Sequence, residues 1–119
     1  MKTVLLVEDD PIQRRLMGFA LRPLQLRILE GGDTESALAH PDPIDLVITD
    51  HTMPGRSGIE LIAELRTRPG QEQLPAILLT GRGEPAIQEE AALLGRCEVV
   101  GKPFSPTALA ERVRATLGL

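Results

Sequence analysis

Val4-Leu5-Leu6-Val7-Glu8-Asp9-Asp10-Pro11 decides how the rest of the chain is read. Four apolar residues without alternation read as a strand buried on both faces, as in a parallel sheet covered by helices. Three acids follow at once. Asp10-Pro11 then supplies an N-cap acceptor and a proline at the first helical position.

Outward from this stretch the same alternation recurs. Ile12, Leu16, Phe19 and Ala20 lie at helical spacing, and Pro23 limits that helix. Leu26–Leu29 is a weaker second strand, closed by a Gly31-Gly32 turn, and Asp33 or Thr34 caps a short helix through Leu38. Ile44–Thr49 is a third strand. A Pro54-Gly55 turn follows, and Ser57-Gly58 opens a helix carrying Ile59, Ile62 and Leu65. Pro75–Thr80 is a fourth strand, Gly81 and Gly83 loosen the next loop, and a helix is expected from about Glu84 to Leu94. Glu98–Gly101 is a fifth strand, and Ser105-Pro106 starts a last helix with Leu109, Val113 and Leu117 on one face. Five strands alternating with five helices predict an α/β fold, a parallel sheet with helices on both faces.

The 119 residues suit one domain. Thirteen basic and seventeen acidic residues give a net charge of −4, and the only adjacent basic pair is Arg14-Arg15. That balance argues against nucleic acid as a partner. No apolar run approaches the roughly 18 residues needed to span a membrane, and the first run is too short for a signal peptide, so a cytoplasmic protein is expected. The one cysteine, Cys97, excludes an internal disulfide and reads as a buried structural thiol in a strand.

Ligands of open α/β sheets bind outside the carboxyl ends of the strands. There the sequence places Glu8, Asp9 and Asp10 after the first strand, Asp50 after the third, Thr80 after the fourth and Lys102 after the fifth. Asp10 reads as a helix cap. Carboxylates gathered on one sheet edge repel and need a proton or a cation. An all-oxygen set favours a hard cation such as Mg²⁺. Thr80 and Lys102 then remain to hold an anion beside it, most simply a phosphoryl group. Lys102 is one of only two lysines, which suggests a position needing a compact ammonium.

Four motifs carry a family resemblance. They are Val-Leu-Leu-Val-Glu-Asp-Asp-Pro (4–11), Asp-Leu-Val-Ile-Thr-Asp-His-Thr-Met-Pro-Gly-Arg-Ser-Gly-Ile-Glu-Leu (45–61), Ala-Ile-Leu-Leu-Thr-Gly (76–81) and Val-Gly-Lys-Pro-Phe (100–104). In this order and at these spacings the chain resembles the CheY-like response-regulator receiver domains of two-component signalling along essentially its whole length. The resemblance implies a single receiver domain over 1–119 and a doubly wound five-stranded sheet of flavodoxin-like order 2-1-3-4-5. It implies Asp50 as phosphoacceptor, Asp9 as a direct Mg²⁺ ligand and Glu8 acting mainly through metal-bound water. Asp50 and the carbonyl of Thr52 would complete the metal set. Thr80 would bond the phosphoryl group, Lys102 would pair with it, and the bond before Pro103 would be cis. The donor would be the phosphohistidine of a histidine kinase or phosphotransfer protein. Such a domain is no enzyme beyond its own phosphorylation and dephosphorylation. Output to a downstream protein would use the face of helix 4, strand 5 and helix 5, with Glu84, Ile87, Glu98, Ala108 and Arg112, or else the chain is a fragment of a longer protein.

Three departures from the pattern matter. Val99 stands where receivers often carry an aromatic residue, and the chain has no tyrosine. Glu98-Val99 does not match the acidic-acidic-Tyr of receivers joined to winged-helix domains. Thr52 and Arg82, each two residues beyond a site residue, are expected to tune water access. Two rivals remain. An aspartyl-nucleophile phosphatase would resemble Asp-x-Asp-x-Thr, but Asp50-His51-Thr52 lacks the second aspartate. A pseudo-receiver that only binds partners should have lost Asp50, Asp9 or Lys102, and none is lost.

Overall fold

The apolar run at 4–7 divides by parity, since successive strand side chains point to opposite faces. In β1 (Thr3–Val7) every residue is buried. Leu5 and Val7 enter one core, and Val4 and Leu6 enter the other. The computed structural model describes residues 1–53, 55–81 and 85–119. β3 (Leu46–Asp50) and β4 (Ala76–Thr80) are likewise wholly buried. β2 (Arg27–Gly31) and β5 (Cys97–Gly101) are partly exposed, as edge strands are. All pairings are parallel, in the order β2-β1-β3-β4-β5.

The helices are α1 (Pro11–Leu21), α2 (Thr34–Leu38), α3 (Gly58–Leu65), α4 (Pro85–Leu94) and α5 (Pro106–Leu117). Met17 and Leu21 of α1 and Leu109 and Val113 of α5 cover one face of the sheet. Ala37, Leu61, Ile62, Leu65 and Ile87 cover the other. Their starts are those that the capping residues dictate. Asp10 accepts from the Ile12 N–H at 2.9 Å and Ser105 from the Ala108 N–H at 3.0 Å. Asp33 with Ser36, and Ser57 with Glu60, form reciprocal capping boxes.

Several expected limits shift. The second strand runs to Gly31, so that glycine ends a strand and does not form the turn. The third begins at Leu46 and takes in Asp50. A short 3-10 turn, Arg22–Leu24, follows α1 and contains Pro23. The expected start of the fourth helix at Glu84 lies outside the described residues, as do Pro54, Arg82 and Gly83. The helical repeat of α1 is real and faces outward: Ile12, Leu16 and Phe19 are 69%, 52% and 56% exposed. Periodicity defines an apolar stripe without saying which stripe meets the sheet. The short β1–α1 turn fixes the helix rotation, and it turns Met17 and Leu21 inward. Cys97 is only half-buried, on an edge strand, where burial pushes its thiol pKa up. Among the described residues no helix is long and apolar enough to cross a membrane.

Candidate phosphoryl and metal site

The carboxyl ends of β1, β3, β4 and β5 bring Glu8, Asp9, Asp50, Thr80 and Lys102 to one edge of the sheet. Carboxylate oxygens of Glu8, Asp9 and Asp50 lie within 4.8 Å of one another. Lys102 Nζ stands 2.9 Å from Asp50 Oδ1 and 3.1 Å from Glu8 Oε2. The ammonium thus bridges two acids that would otherwise repel.

Glu8 and Asp50 are buried, whereas Asp9 is exposed. Burial raises the Glu8 pKa, and the Asp50 charge adds to this. The hydrogen bonds from Lys102 and from the Asp10 N–H oppose it without cancelling it. Burial pulls the Lys102 pKa down, but its bonds to Asp50 and Glu8 outweigh that and hold it above the usual lysine value. Buried Glu8 therefore favours its protonated form, and half-buried Lys102 keeps its ammonium.

Local backbone makes this arrangement. Thr80 is buried at the end of β4, opposite Gly101, and its carbonyl accepts the Lys102 N–H at 2.7 Å. The Lys102–Pro103 bond is cis, as the resemblance implied. The Gly58 N–H donates to the His51 carbonyl at 2.9 Å. A Cβ at Gly58 would stand 2.5 Å from the Asp50 carbonyl oxygen and 2.7 Å from Leu78. Only glycine lets α3 approach the backbone of Asp50 so closely. Thr52 lies exposed in the loop after β3, beside the cluster in sequence.

A groove of about 580 Å³ leads from Glu8 and Lys102 between α1 and α5, past Leu16, Met17 and Phe104. On the expected output face, Glu98 and Arg112 pair with each other. Ala108 is exposed, but Ile87 is buried in the core under α4 and does not line that face. Glu84 lies outside the described residues. The sequence reading missed Arg14, whose Nη1 donates to the Glu8 carbonyl at 2.8 Å. In the sequence it was one half of a basic pair, with no signal tying it to the Glu8 carbonyl.

An all-oxygen acidic cluster with an adjoining ammonium can hold a hard cation and an anion side by side. The sequence profile of the response regulator receiver domain matches residues 4–114. The chain is 39% identical over 117 residues to the phosphate regulon transcriptional regulatory protein PhoB of Rhizobium meliloti, covering 96% of this chain and 51% of that protein. It is 34% identical over 118 residues to a probable chemotaxis protein CheY of Rhizobium etli, covering 97% and 92%. The solved structure of the chemotaxis protein CheY4 of Vibrio cholerae superposes with a TM-score of 0.90 at 26% identity, covering 98% and 99% of the two chains. The chain spans about half the length of the PhoB relatives it matches. With its motifs, sheet order and acidic edge in agreement, the chain belongs to the response regulator receiver domains of two-component systems.

Proposed function

We propose that the domain is a phosphorylation switch that takes a phosphoryl group onto Asp50 from the phosphohistidine of a histidine kinase or phosphotransfer protein. The observation that carries this reading is the Lys102 ammonium set between Asp50 and Glu8 within the carboxylate cluster. An Asp50 oxygen forms the new O–P bond as the N–P bond to imidazole breaks, and the imidazole nitrogen keeps the electron pair and is protonated. The product is an aspartyl phosphate.

The protein's part in such a transfer is alignment and neutralisation of charge. Glu8, Asp9 and Asp50 offer a donor set that fits Mg²⁺, with Glu8 acting mainly through a metal-bound water and the Thr52 carbonyl as a further ligand. When bound, the ion would neutralise charge on the phosphoryl oxygens. Lys102 would hold a phosphoryl oxygen on the other side, and the Thr80 hydroxyl would bond another. The switch would act on a downstream protein through α4, β5 and α5, without nucleic acid or membrane, as a cytoplasmic protein that catalyses only its own phosphorylation and dephosphorylation.

Asp50→Asn is nearly isosteric but removes the nucleophile. Incubated with a phosphohistidine donor and Mg²⁺, wild type should take up phosphate and Asp50→Asn should not, with an unchanged far-ultraviolet dichroism spectrum. Uptake at the wild-type rate by the variant would show that Asp50 is not the acceptor.

A further inference from the structure

We infer that Arg14 is a positioning residue for the cation site: its guanidinium fixes the backbone from which Glu8 and Asp9 present their carboxylates. The inference rests on the reading of Glu8, Asp9 and Asp50 as a divalent-cation site.

Glu8 is the pivot of the β1–α1 turn. Its N–H donates to the Gly31 carbonyl of β2 at 3.1 Å. Its own carbonyl accepts from Arg14 Nη1 at 2.8 Å. Arg14 Nε lies 3.2 Å from Glu30 Oε1, so one side chain spans the ends of β1 and β2. The Arg14 N–H also donates to the Asp10 carbonyl at 2.9 Å, which sets the guanidinium on the first turn of α1. The Arg14 side chain is 24% exposed, too little for a freely solvated arginine. Its neighbour Arg15 is exposed.

Gly32 supports the same assignment. Its backbone is not left-handed, and a Cβ there would meet Arg14 Nη1 at 3.1 Å. The missing side chain makes room for the guanidinium. None of these contacts reaches the carboxylates themselves. They act on the backbone that carries two of them, and groups that orient ligands are typically worth about 10–100-fold in metal affinity.

Charge and position predict opposite signs, which makes the inference testable. Removing a cation near a cation site should by itself tighten binding of Mg²⁺. Removing a positioning group should weaken it. The measurement is Mg²⁺ titration by calorimetry at fixed ionic strength, with melting temperatures taken in chelator. Arg14→Ala should raise the Mg²⁺ Kd by about tenfold. Arg14→Lys keeps the charge but cannot reach both the Glu8 carbonyl and Glu30, and should also bind more weakly. Gly32→Ala, which crowds Nη1 without touching charge, should shift Kd in the same direction by a smaller factor. Arg15→Ala removes the neighbouring charge and should leave Kd unchanged or lower. A purely structural role for Arg14 would lower the melting temperature and leave Kd where it was. Arg14→Ala binding Mg²⁺ as tightly as wild type, or tighter, overturns the inference. If that variant does not fold, an unchanged Kd in both Arg14→Lys and Gly32→Ala overturns it equally. A wild-type protein that binds no Mg²⁺ overturns the cation-site reading and this inference with it.

Discussion

Glu8 is an ionisable group with 2% of its surface exposed, held at two oxygens by the Asp10 N–H and by Lys102. Burial keeps its pKa above the usual carboxylate range, so the native state binds this proton more readily than the unfolded chain does. Stability of the cation-free protein therefore falls as pH rises from the ordinary glutamate value through the raised one. Lys102 acts with the same sign in a higher pH window. Its pKa is raised in the native state, so its stabilisation is complete below the ordinary lysine value and disappears as pH climbs through the raised one. Urea midpoints in chelator between pH 4 and 7 should show wild type losing stability with rising pH relative to Glu8→Gln; a constant difference between the two would mean that Glu8 ionises as freely in the native state as in the unfolded chain. At this scale the sequence was informative about Glu8, Asp9, Asp50, Thr80 and Lys102, because a strand's last residue is fixed by where its apolar run ends. It said nothing of Arg14 over the Glu8 carbonyl or Gly58 against Asp50, because both depend on contacts that form only when two elements pack.

At the scale of the elements, the apolar residues of α1 divide between two faces. Leu21 is fully buried against the sheet, whereas Leu16 is 52% exposed. Leu21→Ala should cost about 2–5 kcal/mol. Leu16→Ala should stay within about 0.5 kcal/mol. Equal losses in chemical denaturation would show that the outward stripe is packed in solution. The helices and strands themselves were legible from caps and apolar runs, but the rotation of α1 was not, since it depends on the turn before it. On β5, Val99 packs against the core below α4 and offers a stiff, β-branched side chain where a ring could swing. The signal is accordingly expected in the 80–85 loop and the start of α4; of that loop, Arg82, Gly83 and Glu84 lie outside the described residues. On adding beryllofluoride with Mg²⁺, backbone NMR shifts outside the immediate site should be larger at Gly81 and Ala86 than at Cys97–Val100. The reverse ranking would make β5 the carrier.

Across the whole molecule the two ends of the sheet are built differently. One end gathers the acids and Lys102. At the other, Arg66 donates to the carbonyls of Leu74, Leu94, Gly95 and Arg96 at 2.7–3.3 Å. Arg68 donates to those of Leu38 and His40 at 2.6 and 2.8 Å. Gln71 exchanges two hydrogen bonds with the backbone of Ile44. One connection, between α3 and β4, thus ties the starts of β3, β4 and β5 and the ends of α2 and α4, with cations where helix dipoles favour them. Arg66→Ala should destabilise by roughly 1.5–3 kcal/mol. Arg66→Lys should recover less than half of that, since an ammonium cannot span four carbonyls. Full recovery in denaturation midpoints would reduce the role to charge alone. The alternation of elements was readable along the chain and the sheet order followed from the family resemblance, but these clasps were not readable, because arginines in a loop read as solvated charge until their carbonyl partners are placed.

Those bonds also make α4 a lever with its fulcrum at one end. Its ten residues extend about 15 Å from the Leu94–Arg96 carbonyls that Arg66 grips. A tilt of about 10° about that fulcrum carries the far end through roughly 2–3 Å while the gripped end stays in place. A displacement entering beside Thr80 would then be largest at the start of α4 and decline toward the gripped end, the amplitude at each residue growing with its distance from Leu94.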